Sequence, residues 1–438
     1  MSLNTQKQFN IRNIFLENKI NLKTLYCVLI LVIIKIFFGF YLENSNSDFF
    51  FTPDSVRYVD AAQEICETGK FNDFNKVPEI IRTPGTSIFL LPAVCSDINL
   101  RIYIIFLNSI MLLLAAFFTF KIVKLINIKM SPLFVFLIFL IDPTLSRYQY
   151  HVLSEIIFLF WFTLALYFFI IGLKNINFYY FFFGFVIITF STFIKPIILY
   201  LPYYLFICFI LFYSLNSSFR SKFKYPLFIA SILGLVIHFS LTQLWTYRNY
   251  NVSGIKKFTY IKTINSYYYM TAGIIAKSQK KDFLEVQKEF LIKTENFSEN
   301  ELVDYSNTEF RKAILEYPFE SILVGLEGAM MTLFTPGTGQ YAKMFNITNK
   351  NYETSKVIFN SIGFIWLAMM VFLATFGIIK IKKNIFSILL ALIFLYLLLV
   401  SSGPMSYSRF RIPFIPIIVV LISCGFENLL KMIKNLRL

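Results

Sequence analysis

The feature that most constrains this chain is the recurrence of long apolar runs closed by short basic clusters. The first run, residues 25–42, would extend roughly 27 Å as a helix, close to the ~30 Å hydrocarbon core of a bilayer. Lys7, Arg12, Lys19 and Lys23 precede it, so the positive-inside rule puts the N-terminus in the cytoplasm and the next loop outside. Some two dozen polar and basic residues stand before the run and no small-residue cleavage site follows it, so the run reads as a span, not a cleavable signal.

The later runs keep the same alternation. Residues 102–120 end in Lys121, Lys124 and Lys129; a short run, 132–141, breaks at Asp142-Pro143; and 152–173 closes on Lys174. Residues 178–193 lead out to Lys195-Pro196, 197–215 return to Arg220, Lys222 and Lys224, and 226–244 lead out again. Near the end, 357–379 closes on Lys380, Lys382 and Lys383, 385–400 leads out, and 412–426 returns to Lys431, Lys434 and Arg437. About ten spans with both ends inside satisfy every flank. The expected fold is therefore all-α: a polytopic integral membrane bundle with a cytoplasmic N-terminal segment (1–24), a transmembrane core (25–244) holding an external first loop (43–101), a larger external loop subdomain (245–355) before the last three spans, and a C-terminal transmembrane segment with a cytoplasmic tail (356–438). Within the larger loop, 282–316 reads as amphipathic helix. Residues 319–334 are apolar but short, bounded by Pro318 and Pro336-Gly337, and read as an interfacial or partly inserted helix.

Composition agrees: 57% of residues are hydrophobic and 15% charged, and the mean hydropathy is +0.64, too little charge to cover a soluble protein of this length. The net charge of +16 sits mainly beside apolar runs, which argues against a nucleic-acid partner and for membrane lipids. Cys27, Cys208 and Cys424 lie inside apolar runs, and no cysteine spacing suggests a metal site. Cys66 and Cys95 share the first loop, where they either pair in an oxidising compartment or remain two thiols. No internal repeat supports an inverted-repeat transporter.

The first loop carries the densest set of charged and aromatic residues outside the 245–355 segment. Thr52-Pro53-Asp54 is a helix start, with Thr52 as cap, and the helix would place Tyr58, Ala61, Ala62 and Ile65 on one face. Asp54 either complements the helix dipole or serves as a base. Arg82 precedes a Pro-Gly turn and is either an interfacial anchor or a two-pronged phosphate ligand. Glu155 opens a span four residues after His151, so on a continuous helix the two would touch. Lys195, Arg248, Arg409 and Arg411 all fall at external span ends, against the positive-inside trend, and with Arg82 predict a ring of positive charge for an anionic ligand. His238 lies mid-span and reads as a packed or hydrogen-bonded core residue.

In order along the chain, PDSVRYVDAA, RTPGTSIFLLP, LSEIIF, FIKP, WTYRNYNVSG and SRFRIPFIP resemble the C-fold (GT-C) glycosyltransferases, the bacterial relatives of protein O-mannosyltransferases and aminoarabinose lipid A transferases. The resemblance runs from about residue 50 to residue 425. It implies an inverting transfer of a sugar from a polyprenyl-phosphate donor to a hydroxyl of a lipid, glycan or protein acceptor, at the periplasmic or external face of the cell's inner (plasma) membrane. It implies Asp54 as general base and Arg82, Arg409 and Arg411 as ligands near the donor phosphate. With the residue-level reading above, the candidate site is Asp54 and Glu155 as catalytic carboxylates, Arg82, Lys195, Arg409 and Arg411 as donor-phosphate ligands, and Tyr58, His151 and Arg248 in support. Many relatives carry Asp-Glu at the base position, whereas here Ser55 follows Asp54, and a divalent metal has no support in the sequence. The competing expectations are a lipid-linked sugar flippase or other transporter, and a glycan ligase or polymerase using diphosphate-linked donors.

Overall fold

The computed structural model describes residues 21–215, 223–347, 351–382, 384–404 and 406–436. The basic flanks at Lys7, Arg12, Lys19, Arg220, Lys222, Lys383 and Arg437 lie outside the described residues. Within them the chain is helical, with one isolated β-bridge between Asn72 and Pro78. Seven helices are long and apolar enough to cross a membrane: Leu22–Ser45, Leu100–Leu125, Glu155–Asn175, Pro196–Leu215, Tyr225–Ser253, Asn351–Lys380 and Ser408–Leu436. Three further runs expected as spans form the shorter helices Pro132–Ile141, Phe178–Ile194 and Ile385–Ser401.

The bundle is built around the Glu155–Asn175 helix, whose apolar stretch is 78% buried, against 17% for that of Leu22–Ser45 at the margin. It packs on Leu100–Leu125 and Phe178–Ile194, and Phe158, Phe162, Phe169 and Phe185 are wholly buried between them. Asn351–Lys380 lies against the last helix with Gly377 on the backbone of Leu421 and Gly425 on that of Leu373 and Gly377, the close approach that small residues permit between apolar helices.

Pro132–Ile141 has 10 residues, about 15 Å of rise, and cannot cross a bilayer alone. It stops because Pro143 has no N–H to continue it, which frees carbonyls at apolar depth. Lys35 answers them from inside the first long helix, its Nζ donating to Leu140 O at 3.0 Å and Ser146 Oγ at 2.8 Å. Asp142 accepts from Leu145 N–H at 2.9 Å and from Trp366 Nε1 at 3.0 Å, so the broken segment is tied to two other helices.

Both polar loops are helical too. The first contains Pro53–Thr68 and Pro84–Val94, bridged by a Cys66–Cys95 disulfide with Cα atoms 5.4 Å apart. Helix Tyr225–Ser253 runs past the expected boundary at Trp245 and stops at Gly254, which adopts φ 77°. The stretch 282–316, expected to be helical, forms two helices, Phe283–Lys293 and Glu299–Glu316, because Ser298 caps a new start with Glu301. These helices fold back over the first loop: Tyr260 N–H donates to Ile80 O at 2.8 Å, and Ile80, Ile255 and Tyr260 form a small apolar core. Pro318–Phe334 turns Phe319, Ile322, Leu326, Met330 and Phe334 outward at helical spacing, leaving one apolar face uncovered.

Candidate functional site

The site begins with the cap of the Pro53–Thr68 helix. Thr52 N–H donates to Ser55 Oγ at 2.9 Å, and the two hydroxyls lie 3.1 Å apart. Ser55 is therefore a buried part of the helix start, and Pro53 leaves Asp54 in the first turn, where the dipole favours an anion. Tyr58, Ala61 and Ala62 face the bundle as expected, and so does Glu64, for which the sequence suggested nothing beyond solvation.

Arg82 is held by a buried residue that sequence reasoning missed. Glu79 accepts the N–H groups of Ile81 and Arg82 on Oε1 at 2.6 and 2.9 Å, and pairs with Arg57 through Oε2 at 3.0 Å. A carboxylate gathering two consecutive N–H groups bends the backbone into a turn, and the turn presents Arg82 towards Asp54. The only sequence signal was an acid three residues before an arginine, in a Pro-flanked segment. After Arg82, Pro84 starts a helix and Gly85 lies on the end of Phe178–Ile194; a Cβ on Gly85 would fall 2.6 Å from Phe193 O. The close contact sets Arg82 beside the segment that carries Lys195.

Five charged side chains from five segments then alternate in sign. Arg82 Nη2 lies 2.5 Å from Asp54 Oδ1, and Arg409 Nη1 lies 2.7 Å from Asp54 Oδ2. Arg409 Nε reaches Glu155 Oε1 at 2.5 Å, and Lys195 Nζ reaches the same oxygen at 2.7 Å. The Glu155 side chain is wholly buried, whereas that of Asp54 is 30% exposed, so the chain opens at the Asp54 end. Tyr58 lies beneath Arg82, its ring centroid 5.6 Å from the guanidinium carbon. Burial works to raise the Asp54 carboxyl, but the Arg82 and Arg409 guanidiniums outweigh it and hold the group below the ordinary carboxylate value. Three cations face two carboxylates, leaving one positive charge unmatched.

The other expected site residues lie elsewhere. His151 does not share a helix face with Glu155: the helix starts at Glu155, and His151 sits in the irregular stretch before it, its ring 4.5 Å from that of Phe49. Burial, with the nearby Arg147 cation, pushes the imidazole down to about 3, so it is neutral. Arg248 donates to Glu79 O at 2.9 Å and Phe71 O at 2.7 Å, stacking between Phe71 and Trp245, and so braces the first loop. Arg411 donates to Leu333 O at 3.0 Å, Thr335 O at 2.9 Å and Thr144 Oγ1 at 3.0 Å, closing the end of Pro318–Phe334. His238 bonds Thr189 Oγ1 at 3.1 Å and Leu199 O at 2.9 Å, in the core as expected. Among the described residues, no group of three or more His, Cys, Asp or Glu side chains is arranged to hold a metal ion.

Fold and site together define an all-helical chain, with membrane-length helices around a partly buried row of alternating charges. The chain matches no family model and no curated protein.

Proposed function

We propose that this protein is a membrane glycosyltransferase that moves a sugar from a polyprenyl-phosphate donor to an acceptor hydroxyl, with inversion at the anomeric carbon. The observation that carries the reading is the alternating row Arg82–Asp54–Arg409–Glu155–Lys195, which carries one net positive charge and is open to solvent at its Asp54 end. A sugar phosphodiester on a lipid bears one negative charge, and a carboxylate lies directly beside the cations that would receive it. The motif order along the chain, which resembles the C-fold glycosyltransferases, supports the same reading.

In the reaction Asp54 takes the proton of the acceptor hydroxyl, the hydroxyl oxygen bonds to the anomeric carbon, and the bond from that carbon to the phosphate oxygen breaks. The electron pair leaves with the polyprenyl phosphate, whose added charge Arg82 and Arg409 stabilise. Fixed guanidiniums in a water-poor site stabilise such charge more than water does, because they need not reorganise. Glu155 positions Arg409 and Lys195 and is too buried to meet an acceptor. Arg411 and Arg248, bonded to backbone carbonyls, support the scaffold and leave phosphate binding to Arg82, Arg409 and Lys195.

We read the ten apolar helices as spans and place the site on the periplasmic or external face of the plasma membrane. A disulfide within the loop that carries Asp54 supports that side, since such bonds persist in oxidising compartments. The acceptor is a lipid, glycan or protein hydroxyl. The test is Asp54→Asn, which keeps shape and removes the base: transfer from a polyprenyl-phosphate sugar should fall about 10²–10⁴-fold. Near-normal transfer by a folded variant would refute the assignment.

A further inference from the structure

Both oxygens of Asp54 are already engaged by guanidiniums. Oδ1 is 2.5 Å from Arg82 and Oδ2 is 2.7 Å from Arg409, and Glu155 prevents Arg409 from swinging away by holding its Nε. A carboxylate so paired is a weak base, and an acceptor hydroxyl placed against it would compete with two guanidiniums. The groups that must receive the donor phosphate are the same two guanidiniums. They differ in how firmly they are held. Arg409 is anchored through Nε to a wholly buried carboxylate, whereas the Arg82 guanidinium has one ionic partner, Asp54, and its buried Nε has no hydrogen-bond partner.

Resting on the function proposed above, we propose that the donor phosphate releases the base. By drawing Arg82 onto its own oxygens and sharing the Nη edge of Arg409, it frees Oδ1 of Asp54 for the acceptor, so the substrates bind in a compulsory order with the donor first. Every charged group facing Asp54 pushes the same way once the phosphate is in place. Arg82 and Arg409 are shared with a second anion, and the phosphate adds its own negative charge to that of Glu155, the other acid acting on Asp54. A carboxylate surrounded in that way holds a proton more readily, as a general base must. In the reaction the hydroxyl proton passes to Asp54 and later to water, while the departing phosphate gains the electron pair and keeps both guanidiniums. Asp54 recovers its partners when the polyprenyl phosphate leaves. With the base locked until a donor is present, the site has nothing to offer a lone acceptor.

The experiment uses the full-length protein in detergent, with farnesyl phosphate as the lipid phosphate. Its binding is read by thermal unfolding, and Asp54 protonation by water-soluble carbodiimide, which modifies protonated carboxyls and can be located by peptide mass. Saturating farnesyl phosphate should raise the pH midpoint of Asp54 labelling by about one unit, or about tenfold more protonated carboxyl at a fixed pH above both midpoints. Arg82→Ala should show a raised midpoint without any lipid. If farnesyl phosphate stabilises the protein and the Asp54 midpoint stays where it was, the release mechanism is overturned while the proposed function stands. If it neither stabilises the protein nor alters labelling, both fall.

Discussion

Arg409 Nε lies 2.5 Å from Glu155 Oε1, and Lys195 Nζ reaches the same oxygen at 2.7 Å, while Glu155 Oε2 has no hydrogen-bond partner. One buried carboxylate thus meets two cations through a single atom. Removing its charge leaves Lys195 without its ion-pair partner and Arg409 with Asp54 alone, and breaking a buried pair costs about 3–5 kcal/mol. Glu155→Gln should lower the thermal midpoint in detergent and abolish transfer. Adding Lys195→Met should recover part of the stability and none of the activity, and a double-mutant cycle measures the coupling.

Arg82 and Arg411 both entered the expected set of phosphate ligands, and their surroundings predict opposite phenotypes. Arg82→Ala removes a charge-assisted donor worth about 1.5–3 kcal/mol, so donor KM should rise roughly ten- to a hundredfold with the fold intact. Arg411→Lys keeps the charge but cannot fork to Leu333, Thr335 and Thr144. It should cost about 1–3 kcal/mol of stability and leave donor KM unchanged. Initial-rate kinetics beside thermal unfolding separate the two.

Gly85 tests the packing behind the site. A methyl group there meets the backbone of Phe193 and Ile194, which has no rotamer with which to yield. Gly85→Ala should displace the Pro84–Val94 helix from Phe178–Ile194 and cost about 1–3 kcal/mol. Since Arg82 and Lys195 flank this contact, activity should fall further than stability, and donor KM measured at a temperature where the variant is folded provides the check.

The Asp54 pairs have a defined pH window. The folded carboxyl titrates below its ordinary value of 3.8, so its stabilisation is complete above that value and is lost as pH falls through the lower, folded one. The gap in thermal midpoint between the protein and Asp54→Asn should be constant from neutral pH down to about 4 and should close below it. A gap that began to close near neutral pH would contradict the two guanidinium contacts.

Much of this arrangement was legible in the sequence. The apolar runs, their limits and the helix start at Asp54 follow from local hydropathy and capping, which depend on neighbours along the chain. Asp54, Arg82, Glu155, Lys195 and Arg409 were each recognised as charges out of place. Their order in space was not, because it depends on which helices touch: spacing suggested His151 beside Glu155, but the backbone before Glu155 is irregular and the partner is Arg409, 254 residues away. Arg248 and Arg411 look like Arg82 in sequence, since a guanidinium is the same group whether it meets a carbonyl or a ligand. Glu79 escaped notice because its role is to hold backbone N–H groups, for which no side-chain motif exists.

The Ser408–Phe414 turn has a consequence for how the protein is made. Among the described residues Arg409 is the one cation touching both Asp54 and Glu155, and it lies at the start of the last membrane-length helix. Until that helix is synthesised and docked, the two carboxylates lack their shared partner and Lys195 alone faces Glu155. Site completion and completion of the helical bundle are then one event, so a chain stopped short of its last helix lacks the cation that joins the two carboxylates.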